Sequence, residues 1–294
     1  MLPLRDDNPT RRPPFITLAI IAANIAAFLF WQPTFGTPNE QQVFFFCNAL
    51  IPYEVTHQTN LADGGAEARR ELQEQISETE TEAREDQQFL DRECGDKSWW
   101  QSIFVAMFLH GGWLHIGGNM LYLWIFGNNV EDKLGVLAYP LFYLASGVAA
   151  TVAQIALSPD SIIPNLGASG AIAGVLGAYL FMFPRRRILT LVIFFFITFV
   201  YLPAWLVLGG WFVLQLFSGV GELGREIGAG GGVAFWAHIG GFVFGALAAI
   251  LFFPKERYGA LPPPRRPDYT GRRWGGFGSR RPLPPDEDEG WRPY

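Results

Sequence analysis

The chain has 294 residues, half of them apolar and only 17% charged, with a net charge of -5. Soluble domains carry roughly 25% charged residues, so this balance excludes an ordinary water-soluble globule. The net charge sums segments of opposite sign, and nothing beyond charge points to nucleic acid.

Asp, Glu, Lys and Arg are absent from 15–31, 162–184, 188–218 and 227–254. A helix needs about 20 mostly apolar residues to cross a bilayer, and about 17 at the least. The pattern predicts an all-α polytopic membrane protein with six transmembrane helices, at 15–31, 112–130, 134–157, 169–183, 201–218 and 235–253. The first runs into Gln32-Pro33 with no small-x-small cleavage site, which predicts an uncleaved anchor. The stretch 188–218 is too long for one crossing of about 20 residues, and Pro203 interrupts it. Its first part, ILTLVIFFFITFVY, reads as an interfacial lead-in, with the fifth span after it.

Basic residues in short loops mark the cytoplasmic side. Arg5, Arg11 and Arg12 precede the first span, Arg185, Arg186 and Arg187 follow the fourth, and Lys255 and Arg257 follow the sixth. Six spans put all three clusters on one face, while the loop 158–161 on the other has no basic residue. Both termini are then cytoplasmic in a plasma membrane of bacterial type, and the loops after spans one, three and five are external. Residues 1–14 form a cytoplasmic segment, 15–254 the membrane domain and 255–294 a disordered Pro/Gly/Arg-rich tail whose arginines can meet anionic lipid headgroups. The external acidic loop 32–99 holds Ile76, Ala83 and Leu90 at heptad spacing, a weak apolar stripe on a solvated helix or coil. Cys47 and Cys94 flank that loop and pair if it faces an oxidising compartment; otherwise they are two separate thiols.

Polar groups inside a bilayer are costly, so each marks a candidate site. His110, His115 and His238 lie in or beside spans, and only His57 sits in the loop. Ser169 stands between Gly167 and Gly170 at the start of the fourth span, where free N–H groups and the positive helix end favour developing negative charge. His238 lies near the matching end of the sixth span, and Gly241 and Gly245 give that helix a small-residue face. Gly170, Gly174 and Gly177 give the fourth span a similar one. Two such faces let backbones approach closely, which brings the Ser169 hydroxyl within reach of the His238 imidazole, a base at physiological pH. His115 and Asn119, four apart on one face of the second span, can donate hydrogen bonds to an oxyanion. Taken singly, Ser169 also reads as a helix cap, His238 as an interfacial histidine, and His115 with Asn119 as interhelical hydrogen bonding. Their common depth argues for shared chemistry. The fourth span from Ser169 to Pro184 covers roughly 22 Å, against a hydrocarbon core of about 30 Å, which sinks Ser169 below the external surface and calls for a polar cavity.

The residues His110-x4-His115-x3-Asn119-Met120, Phe126-Gly127, Glu131, Gly167-Ala168-Ser169-Gly170 and Ala237-His238-x2-Gly241-x3-Gly245 together resemble the rhomboid family of intramembrane serine proteases, over about residues 15–254. The resemblance implies a Ser169–His238 dyad without an aspartate. It also implies an oxyanion site from His115, Asn119 and the Ser169 main chain, a structural role for His110, and no cofactor or metal. The implied partners are single-span membrane proteins, cut near the external surface at small residues, and membrane lipid. The chain departs from the family in two places. It lacks a Trp-Arg pair in the first external loop, and it has Ala173 where one branch has an aromatic packed on the base histidine. A catalytically silent, client-binding rhomboid relative is the alternative, although such proteins typically lack the serine or the histidine. A zinc protease would need His-Glu-x-x-His, but Gly111 follows His110 and Ile116 follows His115. The predicted spans also lack the Asp or Glu of an ion-coupled transporter.

Overall fold

The computed structural model of the chain describes residues 1–58, 94, 97–193, 197–222 and 234–252. The heptad positions Ile76, Ala83 and Leu90 and the tail 255–294 lie outside the described residues.

Helices dominate the described fold. α1 (Phe15–Ala26) continues through a wide turn to Trp31, and three short helices follow, α2 (Pro38–Asn48), α3 (Pro52–His57) and α4 (Trp99–Val105). A long helical run, Trp113–Leu157, comprises α5 (Trp113–Tyr122), a wide turn at Leu123–Gly127 and α6 (Asn128–Leu157). Its 45 residues would extend about 67 Å if straight, twice a hydrocarbon core of about 30 Å. Gly135, at φ 80°, breaks it into two directions. α7 (Ser169–Met182), α8 (Ala204–Glu222) and α9 (Phe235–Phe252) complete the helices. Trp113–Leu157, Ala204–Gly221 and Phe235–Phe252 are long and apolar enough to cross a membrane, while Phe15–Trp31 and Ser169–Met182 are shorter apolar helices. The chain is an integral membrane protein.

α7 lies at the centre, nearly every residue buried, against α6 and α9. Small residues make that possible. Gly245 faces the Gly174 carbonyl and Gly241 the Gly170 carbonyl. The α7–α9 seam is therefore backbone against backbone, and it sets the separation of everything carried at its end.

The all-α expectation needs correction. The stretch read as an interfacial lead-in forms a β-hairpin, β2 (Arg187–Ile193) and β3 (Ile197–Pro203), and β1 (Leu2–Asp6) pairs with β2 to complete a three-stranded antiparallel sheet. β-Branched and aromatic residues favour a pleated surface. In β2, Ile188 and Thr190 turn into the core, while β3 is exposed from Ile197 to Tyr201. Hydropathy alone cannot separate such an apolar strand from a helix. The sheet is tied to α7 through Asp6, which accepts hydrogen bonds from the Tyr179 hydroxyl and Asn129 Nδ2, each at 2.8 Å. Burial pushes the Asp6 carboxyl up to about 6, against the pull of those donors.

Glu131, 3% exposed, caps the start of α1. Its carboxylate accepts the Ile16 and Thr17 amides at 2.9 and 2.8 Å and the Thr17 hydroxyl at 2.7 Å. This satisfies N–H groups that α1 leaves unpaired and places a negative charge at its positive end.

Cys47 and Cys94 are joined by a disulfide, which settles the pairing that composition left open. Beside it Lys97 Nζ contacts Glu54 at 2.6 Å and donates to the Phe46 carbonyl at 2.7 Å. Burial pushes the Lys97 ammonium below its usual value, and Glu54 opposes the shift. This region also holds the loop that leads into α7: Leu50 and Asn165 exchange backbone hydrogen bonds, and the Tyr53 amide donates to the Ser161 carbonyl.

Candidate active site

Ser169 is the first residue of α7. No side chain caps that helix, so the hydroxyl is not used as a cap. It lies 2.7 Å from His238 Nε2 instead. Gly167 shapes the entry to the helix: its φ of 125° is strained for any other residue, and a Cβ there would stand 2.9 Å from His115 Nε2. Its amide donates to the Ala106 carbonyl at 2.8 Å, pinning the loop two residues before the serine.

His238 occupies the first turn of α9, and its side chain is half-buried. Three contacts hold it. Its Nε2 meets Ser169, its Nδ1 lies 2.8 Å from Gln215 Oε1 on α8, and its ring centre is 5.8 Å from that of Trp211 on the same helix. The neighbouring Ala237 amide donates to Gln154 Oε1 of α6 at 3.1 Å. The end of α9 is thus fixed by one carboxamide and its imidazole faces another.

His115 and Asn119 lie on α5, the former against Gly167. The Gly111 amide donates to His115 Nδ1 at 3.2 Å, so in the neutral ring the proton belongs on Nε2, the edge toward Gly167. Asn119 is 7% exposed, and its Nδ2 has no hydrogen-bond partner among the described residues. A buried donor left unpaired costs about 1–3 kcal/mol. It is the kind of group that gains most when negative charge develops beside it. His110 is fully buried and packs edge-on to His115 at 5.2 Å. Its main chain is clasped by Gln32, which donates to the His110 carbonyl at 2.8 Å and accepts from its amide at 3.1 Å. His57 stacks on Tyr53 in the α3 region.

The structure therefore brings Ser169 and His238 together and sets His115 against the Gly167 turn. Gln215, Trp211 and Gln154 escaped the sequence reading. Gln215 had a signal: it is the only carboxamide in 201–218, and polar groups inside spans seldom lack a partner.

A serine hydrogen-bonded to an imidazole at the ends of two apolar, closely packed helices defines a class, that of helical membrane proteins with an embedded serine–histidine pair. The family model for the Rhomboid domain matches residues 96–255, which include Ser169, His238, His115 and Asn119; the chain belongs to the rhomboid family. It is 38% identical over 95 residues to the mitochondrial Rhomboid protein 1 of Saccharomyces cerevisiae, covering 31% of this chain and 28% of that one. It is 39% identical over 89 residues to the Rhomboid protease GluP of Bacillus subtilis, covering 30% and 17%. A longer match, 30% identical over 166 residues, links it to RHOMBOID-like protein 4 of Arabidopsis thaliana, covering 56% of this chain and 36% of that one. The chain spans less than a third of the length of the first two relatives.

Proposed function

We propose that the chain is an intramembrane serine endopeptidase that cuts single-span membrane proteins near the external surface. The observation that carries this reading is the 2.7 Å contact between Ser169 Oγ and His238 Nε2, which supplies a nucleophile with its base. Ser169 Oγ attacks the scissile carbonyl carbon as its proton passes to His238 Nε2. The oxyanion takes hydrogen bonds from Asn119 Nδ2, His115 Nε2–H and the free Ser169 amide. Collapse breaks the C–N bond, and the leaving amine takes the proton from Nε2. Water then attacks the acyl-enzyme, returns a proton through Nε2, and releases a carboxylic acid and the free serine.

The membrane arrangement follows the same reading. α1, α5, α6, α7, α8 and α9 are the six crossings, with the arginine clusters and both ends of the membrane domain on the cytoplasmic side. The Cys47–Cys94 bridge supports an oxidising, external location for its loop. α7 has 14 residues and spans about 21 Å, short of a core of about 30 Å. Ser169 thus sits beneath the outer surface, where a substrate helix can unwind and water can enter. Partners are transmembrane substrates and lipid; the chemistry calls for no cofactor and the surface for no nucleic acid.

The test uses purified protein in proteoliposomes with a single-span substrate carrying small residues near its outer boundary. Two fragments should form, with the cut mapped to that boundary. Asn119→Ala should slow the reaction about 10²- to 10³-fold, as loss of one oxyanion donor does. A substrate that is captured but stays intact would instead mark a silent client-binding relative.

A further inference from the structure

Resting on that reading, we propose that Gln215 is a positioning residue for His238: its carbonyl oxygen holds the proton of the neutral ring on Nδ1 and so leaves Nε2 free to accept from Ser169. A neutral imidazole carries one proton, and the two ring nitrogens are distinguished by what the second one touches. Gln215 Oε1 stands 2.8 Å from Nδ1, and a carboxamide oxygen only accepts, so Nδ1 donates. Nε2 then presents its lone pair to the Ser169 hydroxyl at 2.7 Å. The opposite tautomer would set an N–H on Nε2 against Ser169 and leave Nδ1 and Oε1 as two facing acceptors. One hydrogen bond thus selects the ring form that can act as a base.

The surroundings leave this task to α8. The position one turn after the nucleophile is Ala173, fully buried and too small to orient a ring. Trp211 and Gln215, four residues apart, share one face of α8; the indole lies 5.8 Å from the imidazole while the amide meets its edge. A carboxamide also differs from a carboxylate in consequence. It fixes the tautomer without a charge to hold the imidazolium, so the base returns its proton readily to the leaving amine. Among the described residues, the titratable group whose charge would bear on His238 is His115, on α5; Ser169 of α7, Gln154 of α6 and Gln215 of α8 carry no charge.

The test has two readouts on the full chain in bilayers, with wild type, Gln215→Leu, Gln215→Glu and, for assignment, His238→Ala. The first is ¹⁵N spectroscopy of histidine-labelled protein, which reports which nitrogen of His238 bears the proton without any need for turnover. Wild type should show Nδ1–H, and Gln215→Leu should shift the ring toward Nε2–H. The second is cleavage kinetics across pH. Gln215→Leu should lower kcat about 10- to 100-fold with KM nearly unchanged, as loss of an orienting hydrogen bond does. Gln215→Glu should restore Nδ1–H, recover most of kcat, and move the acid limb of the profile up by about one unit through its negative charge. A Gln215→Leu protein with the wild-type tautomer and an unchanged kcat profile overturns the proposal. If wild type shows Nδ1–H and cleaves nothing, the protease reading fails while the orienting role stands.

Discussion

Ser169→Ala and His238→Ala should each abolish cleavage of a single-span substrate, with losses of about 10⁴- to 10⁶-fold. The two side chains act as one unit. Without the hydroxyl no acyl-enzyme forms. Without the imidazole the hydroxyl keeps its proton, because among the described residues its hydrogen-bond partner is His238 Nε2. The double variant should accordingly be no slower than either single one, since the second change removes a partner that already has nothing to do. Thermal unfolding in detergent should change little for Ser169→Ala, where one hydrogen bond worth about 1 kcal/mol is lost. A double variant slowed by the product of the two single losses would show that they do not form a working pair.

Gly245→Val should be the most damaging change outside the site. A Cβ at Gly245 would lie 2.7 Å from the Gly174 Cα and closer still to the Gly174 carbonyl oxygen. Backbone cannot swing aside as a side-chain tip can, so α7 and α9 must separate. Overpacking of this kind costs about 1–3 kcal/mol or more, read as a lowered unfolding temperature. The functional loss should be larger in proportion. Ser169 and His238 ride on these two helices, and a displacement of about 1 Å at a reacting pair costs about 10²-fold. Gly210→Ala on α8 is the matched control. Its added Cβ meets nothing within 4 Å, so stability should hold or rise by roughly 0.5–1 kcal/mol from helix propensity, with cleavage unchanged.

Much of this arrangement was legible in the sequence, for physical reasons. The apolar segments at 15–31, 169–183 and 235–253 appear as helices within a residue or so of their predicted ends, because hydropathy over a span is a strong signal. The approach of α7 and α9 was readable from glycines spaced four apart, and with it the contact between Ser169 and His238. Other features depend on information that spacing does not carry. The strands β2 and β3 read as an interfacial lead-in because an apolar run without charges does not announce a strand. Gln215 stood out as the one carboxamide of its span, but the apolar residues around the rest of α8 do not say which helix it faces. The bond between Cys47 and Cys94 spans 47 residues and rests on a fold that neither flank encodes. Glu131 entered only through a family resemblance, and the structure adds its physical task, the capping of α1.

Whether Ser169 and His238 work as nucleophile and base is read from the site and rate of covalent modification by a fluorophosphonate, followed by peptide mapping, in wild type and His238→Ala. Wild type should carry a single adduct on Ser169, formed at least about 10²-fold more slowly once the base is gone. An unmodified Ser169, or an adduct that forms equally fast without His238, would contradict that pairing.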